Sequence, residues 1–120
     1  DALELMVRST VGHGTVQGFS TINTISAKLV DANGNQALPG AGRDHSGVCG
    51  NAIRGAGLDM VARLAAIREK LGLDFKINGV GGVFSPADYQ AYRNAGADSV
   101  MSATGAMWDA ELAHKIKASR

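Results

Sequence analysis

The chain has 120 residues, with 12 basic against 11 acidic side chains, and is 45% hydrophobic and 19% charged. Such a chain is long enough for one globular domain with a core, and its near-neutral charge gives no electrostatic basis for a nucleic-acid or anionic membrane partner. No apolar run approaches the ~18 residues that span a bilayer, the opening DALELMVRST lacks a secretory pattern, and the single Cys49 cannot close an internal disulfide; the expected compartment is a reducing cytoplasm.

Asp1 to Arg8 reads as the final turns of a helix, with Leu3, Leu5, Met6 and Val7 but no capping residue ahead of them. Thr15 to Ile25, TVQGFSTINTI, is rich in β-branched residues and predicts a strand. Residues 27 to 50 form a long connection with turn signals at Asn33-Gly34 and Pro39-Gly40, the first suggesting a small hairpin between KLVD and NQAL. A helix follows from about Asn51 to Leu71. Leu58, Val61, Leu64, Ala65, Arg68 and Leu71 lie along or beside one stripe, and Gly72 supplies a left-handed stop. Asp74 to Val80 predicts a strand. Ser85-Pro86-Ala87-Asp88 then combines an N-cap serine, a proline at the first helical position and an acidic residue in the first turn, opening a helix that ends at Gly96. Asp98 to Ser102 predicts another strand, and Asp109 caps a last helix whose basic end (Lys115, Lys117, Arg120) suits the macrodipole. Strand and helix alternate three times, the pattern of an α/β fold with a parallel sheet and helices outside.

The 16 glycines gather at turns. From Lys76 to Gly105, a hydrophobic strand runs into Gly79, Gly81 and Gly82, and after a capped helix a second short strand runs into Ser102-Ala103-Thr104-Gly105. Glycine lets backbone N–H groups approach a phosphate where a Cβ would intrude, and helix N-termini beyond such turns add partial positive charge. Close strand–helix packing is the alternative reading of Gly81 and Gly82, and a strand ending in a turn is that of Asn23 and Thr24. In (β/α)₈ barrels a paired phosphate grip follows strands seven and eight, but this chain has less than half the ~250 residues of such a barrel.

INT at 22–24, SGVCGNAIR at 46–54, GVGG at 79–82 and SATG at 102–105 occur in one order. Together they resemble the dihydroorotate dehydrogenases, FMN-dependent barrels of pyrimidine synthesis, from about residue 17 to residue 117; the flavin domain of dihydropyrimidine dehydrogenase is a close relative. The resemblance implies the C-terminal part of a (β/α)₈ TIM barrel, about three β/α units, with residues 1–120 as a fragment of a larger domain. It implies that Asn23 and Thr24 bind the pyrimidine, an amide suiting a ring of alternating N–H and C=O groups. It places Gly47 and Gly50 beside the flavin, Gly81 and Gly82 in the first phosphate turn, and Ala103, Thr104 and Gly105 in the second, where relatives often have glycine at the position of Ala103. The implied reaction is oxidation of dihydroorotate to orotate, with hydride transfer to FMN and proton removal by a Cys or Ser base. The family carries that base, and a flavin-contacting lysine, in earlier parts of the barrel; Cys49 and Lys28 do not match them. A catalytically silent FMN- or phosphate-binding half-barrel, or the flavin domain of a dihydropyrimidine dehydrogenase, is the alternative, and a hydroxy-acid oxidase fragment is disfavoured by the INT and SGVCG motifs.

Other residues are read structurally. Cys49 is expected to be a buried, inert thiol, Trp108 a core or rim packing residue, His114 solvent-facing, and Arg43 and Arg54 partners in surface ion pairs. His13 and His45 lack metal-ligand spacing, so no metal is expected. Three-eighths of a barrel would expose two sheet edges and one bare apolar face, so the chain is expected to form an oligomer or to require the remaining barrel.

Overall fold

The computed structural model describes residues 1–120. In chain order the elements are α1 (Ala2–Thr10), β1 (Gly18–Ser20), β2 (Ile25–Lys28), β3 (His45–Val48), a 3₁₀ turn (Gly50–Ile53) leading into α2 (Arg54–Leu71), β4 (Lys76–Val80), α3 (Pro86–Asn94), β5 (Ser99–Met101), α4 (Thr104–Trp108) and α5 (Leu112–Ala118). Strands β1, β4 and β5 make a parallel sheet in that order, and β2 and β3 make a separate antiparallel ribbon. The fold is mixed α/β, as the alternation of elements requires. Successive parallel strands lie side by side without the reversal of order that marks a doubly wound sheet. No helix is long and apolar enough to cross a membrane.

Several boundaries differ from those expected. Asp1 does cap α1, its carboxylate accepting from the Leu3 N–H at 3.0 Å. The predicted 15–25 strand divides: β1 stops at Ser20, and the chain leaves the sheet before β2. Its β-branched residues thus serve two sheets. Around Asn33-Gly34 the expected hairpin shrinks to one bridge, Val30 to Gln36, inside the wider ribbon in which Ile25–Lys28 pairs with His45–Val48. There the Asp31 carboxylate accepts from the Asn33 and Asn35 N–H groups at 2.8 and 2.9 Å, a side-chain turn that closes the hairpin tip beside the backbone bonds Asp31 N–H to the Asn35 carbonyl and Ala37 N–H to the Leu29 carbonyl. The short α4 intervenes before the last helix. Asp109 still acts at the entry to α5, accepting from the Glu111 N–H at 3.1 Å and pairing with Lys115 at 2.6 Å. The capping of α3 is as read, with the Asp88 N–H donating to the Ser85 hydroxyl.

Strand register explains the layers. Phe19, Ile77 and Val100 point with Gly79 toward the helices, whereas Ser20, Lys76, Asn78, Val80, Ser99 and Met101 lie on the opposite face. The helix side holds the core: Val7, Val61, Leu64, Ile67, Phe75, Ile77, Val83, Tyr92 and Ala97. Phe19 and Phe75 meet edge to face at 5.4 Å. The opposite face, expected to be bare and apolar, instead carries a polar ladder. Asn78 donates to the Ser20 hydroxyl and accepts from that of Ser99, each at 3.1 Å. Thus only 16 residues are buried, and the extents of 50 × 38 × 20 Å describe a slab one helix and one sheet thick. The Cα radius of gyration is 16.7 Å, against about 14 Å for a compact chain of this length.

Two carboxylates fasten helices to strand ends. Asp88 accepts from the Phe84 N–H and the Ser85 hydroxyl at 3.1 and 2.9 Å and pairs with Arg54 at the start of α2. Asp98 accepts from the Ile77 N–H at 2.8 Å and from Arg68 at 2.7 Å, while Arg68 also donates to the Phe75 and Gly96 carbonyls. Arg68 therefore does more than cover the α2 stripe with its stem. Burial by itself would raise both carboxyls. For Asp88 the bonds from Ser85 and Phe84 and the Arg54 charge outweigh it; for Asp98 the Ile77 N–H and Arg68 do so, leaving both below their ordinary values.

Tyr92 of α3 is wholly buried between α2 and β4. A Cβ at Gly57 would lie 2.1 Å from its hydroxyl, and one at Gly79 would lie 2.5 Å from its ring. Two expectations follow. Gly79→Ala should lower stability by about 1–3 kcal/mol through overpacking, whereas Gly55→Ala, whose Cβ meets nothing within 4 Å in the same layer of helices, should be neutral or stabilising by up to about 1 kcal/mol; urea unfolding of the two variants measures both. Because the Asp88 and Asp98 carboxyls are depressed on folding, the stability they contribute is present above the unfolded carboxyl range, about pH 4, and is lost as pH falls through their folded values. The melting temperature should fall in that acidic window, and Asp98→Asn should flatten the fall; an unchanged acid slope would contradict the assignment.

Candidate functional site

The carboxyl ends of the three parallel strands open into one cleft of about 230 Å³. It is lined by Asn23 and Thr24 beyond β1, by Gly81, Gly82 and Val83 beyond β4, and by Ser102 to Gly105 beyond β5, with Cys49 and Gly50 closing one side. Eight of the nine residues singled out in the sequence therefore line one cleft: Asn23, Thr24, Gly50, Gly81, Gly82, Ala103, Thr104 and Gly105. Gly47 does not; it sits in β3 paired with Ser26, where a Cβ would lie 3.1 Å from the Thr24 hydroxyl. Its place in the fold is behind Thr24, letting that side chain lie against the ribbon.

The first turn leaves β4 with Gly81 at φ +114° and Gly82 at φ +68°, conformations that a side chain would strain. A Cβ at Gly82 would also lie 2.7 Å from the Arg54 Cβ and 2.9 Å from the Gly50 carbonyl. The turn is consequently pressed against the entry to α2. The Tyr92 hydroxyl lies 2.6 Å from the Gly81 carbonyl and 3.1 Å from that of Val80, and donates its one proton there. Burial pushes the Tyr92 phenol above its ordinary value, so it remains a donor.

The second turn is tied to the first. The Ser102 hydroxyl donates to the Val83 carbonyl at 2.7 Å, and a Cβ at Gly105 would lie 2.0 Å from that same oxygen. Gly105 permits the approach of the two turns, and Gly79 accommodates Tyr92. The N–H groups of Gly81, Gly82, Ser102 and Ala103 enter no intramolecular hydrogen bond. These are the donors available to an anion. No Lys or Arg lines the cleft, and α4 is a five-residue helix, so the site offers backbone donors with little added charge.

On the third wall, Thr21 holds the chain where it leaves β1: its N–H donates to the Asn78 carbonyl at 3.0 Å and its hydroxyl accepts from the Val80 N–H at 2.9 Å. Asn23 and Thr24 follow, both exposed, and the Asn23 carboxamide donates no hydrogen bond within the protein. It retains an amide for a polar ring. Thr21, Ser102, Tyr92 and Gly57 were not singled out from sequence. Ser102 stood within a quoted motif, but the roles of the others depend on which strands are neighbours.

Three structural expectations, for Cys49, Trp108 and Arg43, need correction. Cys49 is exposed at the cleft, 3.8 Å from the Thr104 hydroxyl, because the chain climbs out of the ribbon there before reaching the core. Trp108 is 82% exposed, since the single turn of α4 carries it past the helix layer. Arg54 forms the expected ion pair, with Asp88, and His114 is exposed. Arg43 has no ion-pair partner, and His45 pairs with Asp44 on the surface.

No family model matches the chain. A dihydroorotate dehydrogenase of Dictyostelium discoideum is 40% identical over 117 residues, which are 96% of this chain and 32% of that relative. The chain thus spans about a third of the relative's length. The four motifs and this match agree: the chain is a relative of the dihydroorotate dehydrogenase family.

Proposed function

We propose that the chain is the FMN phosphate-binding, C-terminal part of a dihydroorotate dehydrogenase barrel, and that the complete enzyme oxidises dihydroorotate to orotate in the cytoplasm. The observation that carries this reading is the convergence of two glycine turns and the Asn23–Thr24 pair on one cleft at the carboxyl ends of neighbouring parallel strands. The residues fit a flavin phosphate: donors at Gly81, Gly82 and Ala103 lack protein acceptors, and the first of these turns has a shape that a Cβ would fill. Thr104 adds a hydroxyl at the same wall. Gly50, at φ +76°, brings bare backbone to the side of the cleft where the isoalloxazine ring would lie.

Bound FMN would supply the hydride acceptor. The chain's own part is binding and orientation. Asn23 would present its amide, and Thr24 its hydroxyl, to the alternating donors and acceptors of the pyrimidine. The phosphate turns would fix the far end of the cofactor and so set where its ring stands relative to that pair. The family's base and flavin-contacting lysine belong to earlier barrel segments, outside the residues matched to Asn23 and beyond. The outer edges of β1 and β5, unpaired in the sheet, are the places for further strands to join. The same features support a narrower reading for the chain alone, a module that binds FMN without turning over substrate.

Fluorescence titration tests both levels. FMN should bind saturably, with riboflavin weaker by about tenfold or more, equivalent to about 1.4 kcal/mol; equal affinities would remove the phosphate assignment. Gly82→Ala should abolish the preference, because the added Cβ strains the turn and meets Arg54. The purified 120-residue chain should show no dihydroorotate oxidation with FMN and an artificial acceptor, and measurable turnover would overturn the placement of the catalytic groups outside it.

A further inference from the structure

Tyr92 is wholly buried next to the cleft, yet it does not line it. Two glycines on different elements, Gly57 in α2 and Gly79 in β4, leave the space through which its ring passes. At the end of that passage its hydroxyl meets the carbonyls of Val80 and Gly81, the two residues that lead into the first glycine turn. The Gly81 carbonyl and the Gly82 N–H belong to one planar peptide unit. A hydrogen bond that fixes the carbonyl therefore fixes the direction of the N–H on the cleft side.

We infer that Tyr92 is a positioning residue for the anion site: by holding the Gly81 carbonyl from behind, it aims the Gly82 N–H into the cleft. The inference rests on the reading of that cleft as a phosphate site, but its structural half can be tested without any ligand. Phenylalanine at this position keeps the ring in its slot and removes only the hydroxyl, leaving the Gly81 carbonyl without that donor. Directional N–H donors lose strength steeply as the angle opens, so a small rotation of the peptide is enough to matter.

The test compares wild type with Tyr92→Phe in two measurements. Amide hydrogen exchange is read at Val80 and Phe84, whose N–H groups bond Thr21 and Asp88 on either side of the turn, and at Leu64 in the core of α2. Exchange at Val80 and Phe84 should accelerate by about tenfold or more relative to Leu64. Equal acceleration at all three would reveal a merely structural role, and no acceleration would show that the hydroxyl does not hold the turn; either overturns the inference. FMN and riboflavin titrations should show the FMN preference reduced by about fivefold to tenfold, corresponding to about 1–1.4 kcal/mol, with riboflavin affinity unchanged. A retained preference overturns the inference, whereas absence of any preference in wild type removes the phosphate reading and leaves the exchange result to decide the structural half. Should Tyr92→Phe fail to fold, the wild-type chain labelled with 3-fluorotyrosine carries its probe only at Tyr89 and Tyr92. Fluorination makes the phenol a stronger donor, so exchange at Val80 and Phe84 should slow relative to Leu64; no change there overturns the inference.

Discussion

Tyr92 crosses from α3 to β4 through a gap that exists because positions 57 and 79 have no side chain, and the cleft takes its form from that crossing. The ring joins α2, α3 and the central strand of the parallel sheet, while the hydroxyl reaches the two carbonyls at which that strand turns away. Neighbouring ties share the same end of the molecule. Thr21 bonds Val80 from the β1 side, Ser102 bonds Val83 from the β5 side, and Asp88 bonds Phe84 and Arg54 behind them. Each restrains backbone within the short segment from Val80 to Phe84. A slab with few buried residues thus places several of its specific interactions where the candidate ligand would sit.

The glycines divide into two kinds that a sequence pattern merges. Gly81 and Gly82 have positive φ and N–H groups without protein acceptors, so backbone conformation explains them. Gly57, Gly79 and Gly105 explain themselves through contact: with the Tyr92 ring and hydroxyl, or with the Val83 carbonyl. Gly47 is of the second kind, facing Thr24. This division matters for the proposed function because the second group would act on a ligand only through the backbone it allows to approach. Reading all of them as phosphate contacts overstates the number of donors; reading all as packing misses the turn that offers them.

Much of the architecture was legible because it is local. The Ser85-Pro86 entry to α3, Gly72 at the end of α2 and the order of strand and helix all depend on residues close in the chain, and the structure has them. The motif residues also converge as expected, apart from Gly47. What was illegible depends on partners far away in sequence. The 15–25 segment looked like one strand because β propensity does not say which sheet each half will join. Asn78 carried no signal of its own in the sequence, and register aligns it with Ser20 and Ser99 in a ladder of matched hydrogen bonds. That ladder replaced the expected bare apolar face with a polar one. Cys49 and Trp108 were misjudged for a related reason: residue type favours burial, but the ribbon and the single turn of α4 lie outside the helix layer.

The polarity of the cleft explains why its geometry receives so much support. A site lined by lysine or arginine tolerates displacement, since charge attraction falls slowly with distance. Here no basic side chain lines the wall, and the donors are backbone N–H groups with a narrow angular range. Affinity for a dianion at the proposed site would then depend on several N–H vectors meeting at one point before the ligand arrives. Flexible side chains cannot correct an error in backbone direction. The restraints must therefore come from behind the turns, from groups that touch carbonyls rather than ligand, and Tyr92, Ser102 and the bare α-carbon of Gly105 stand in those places.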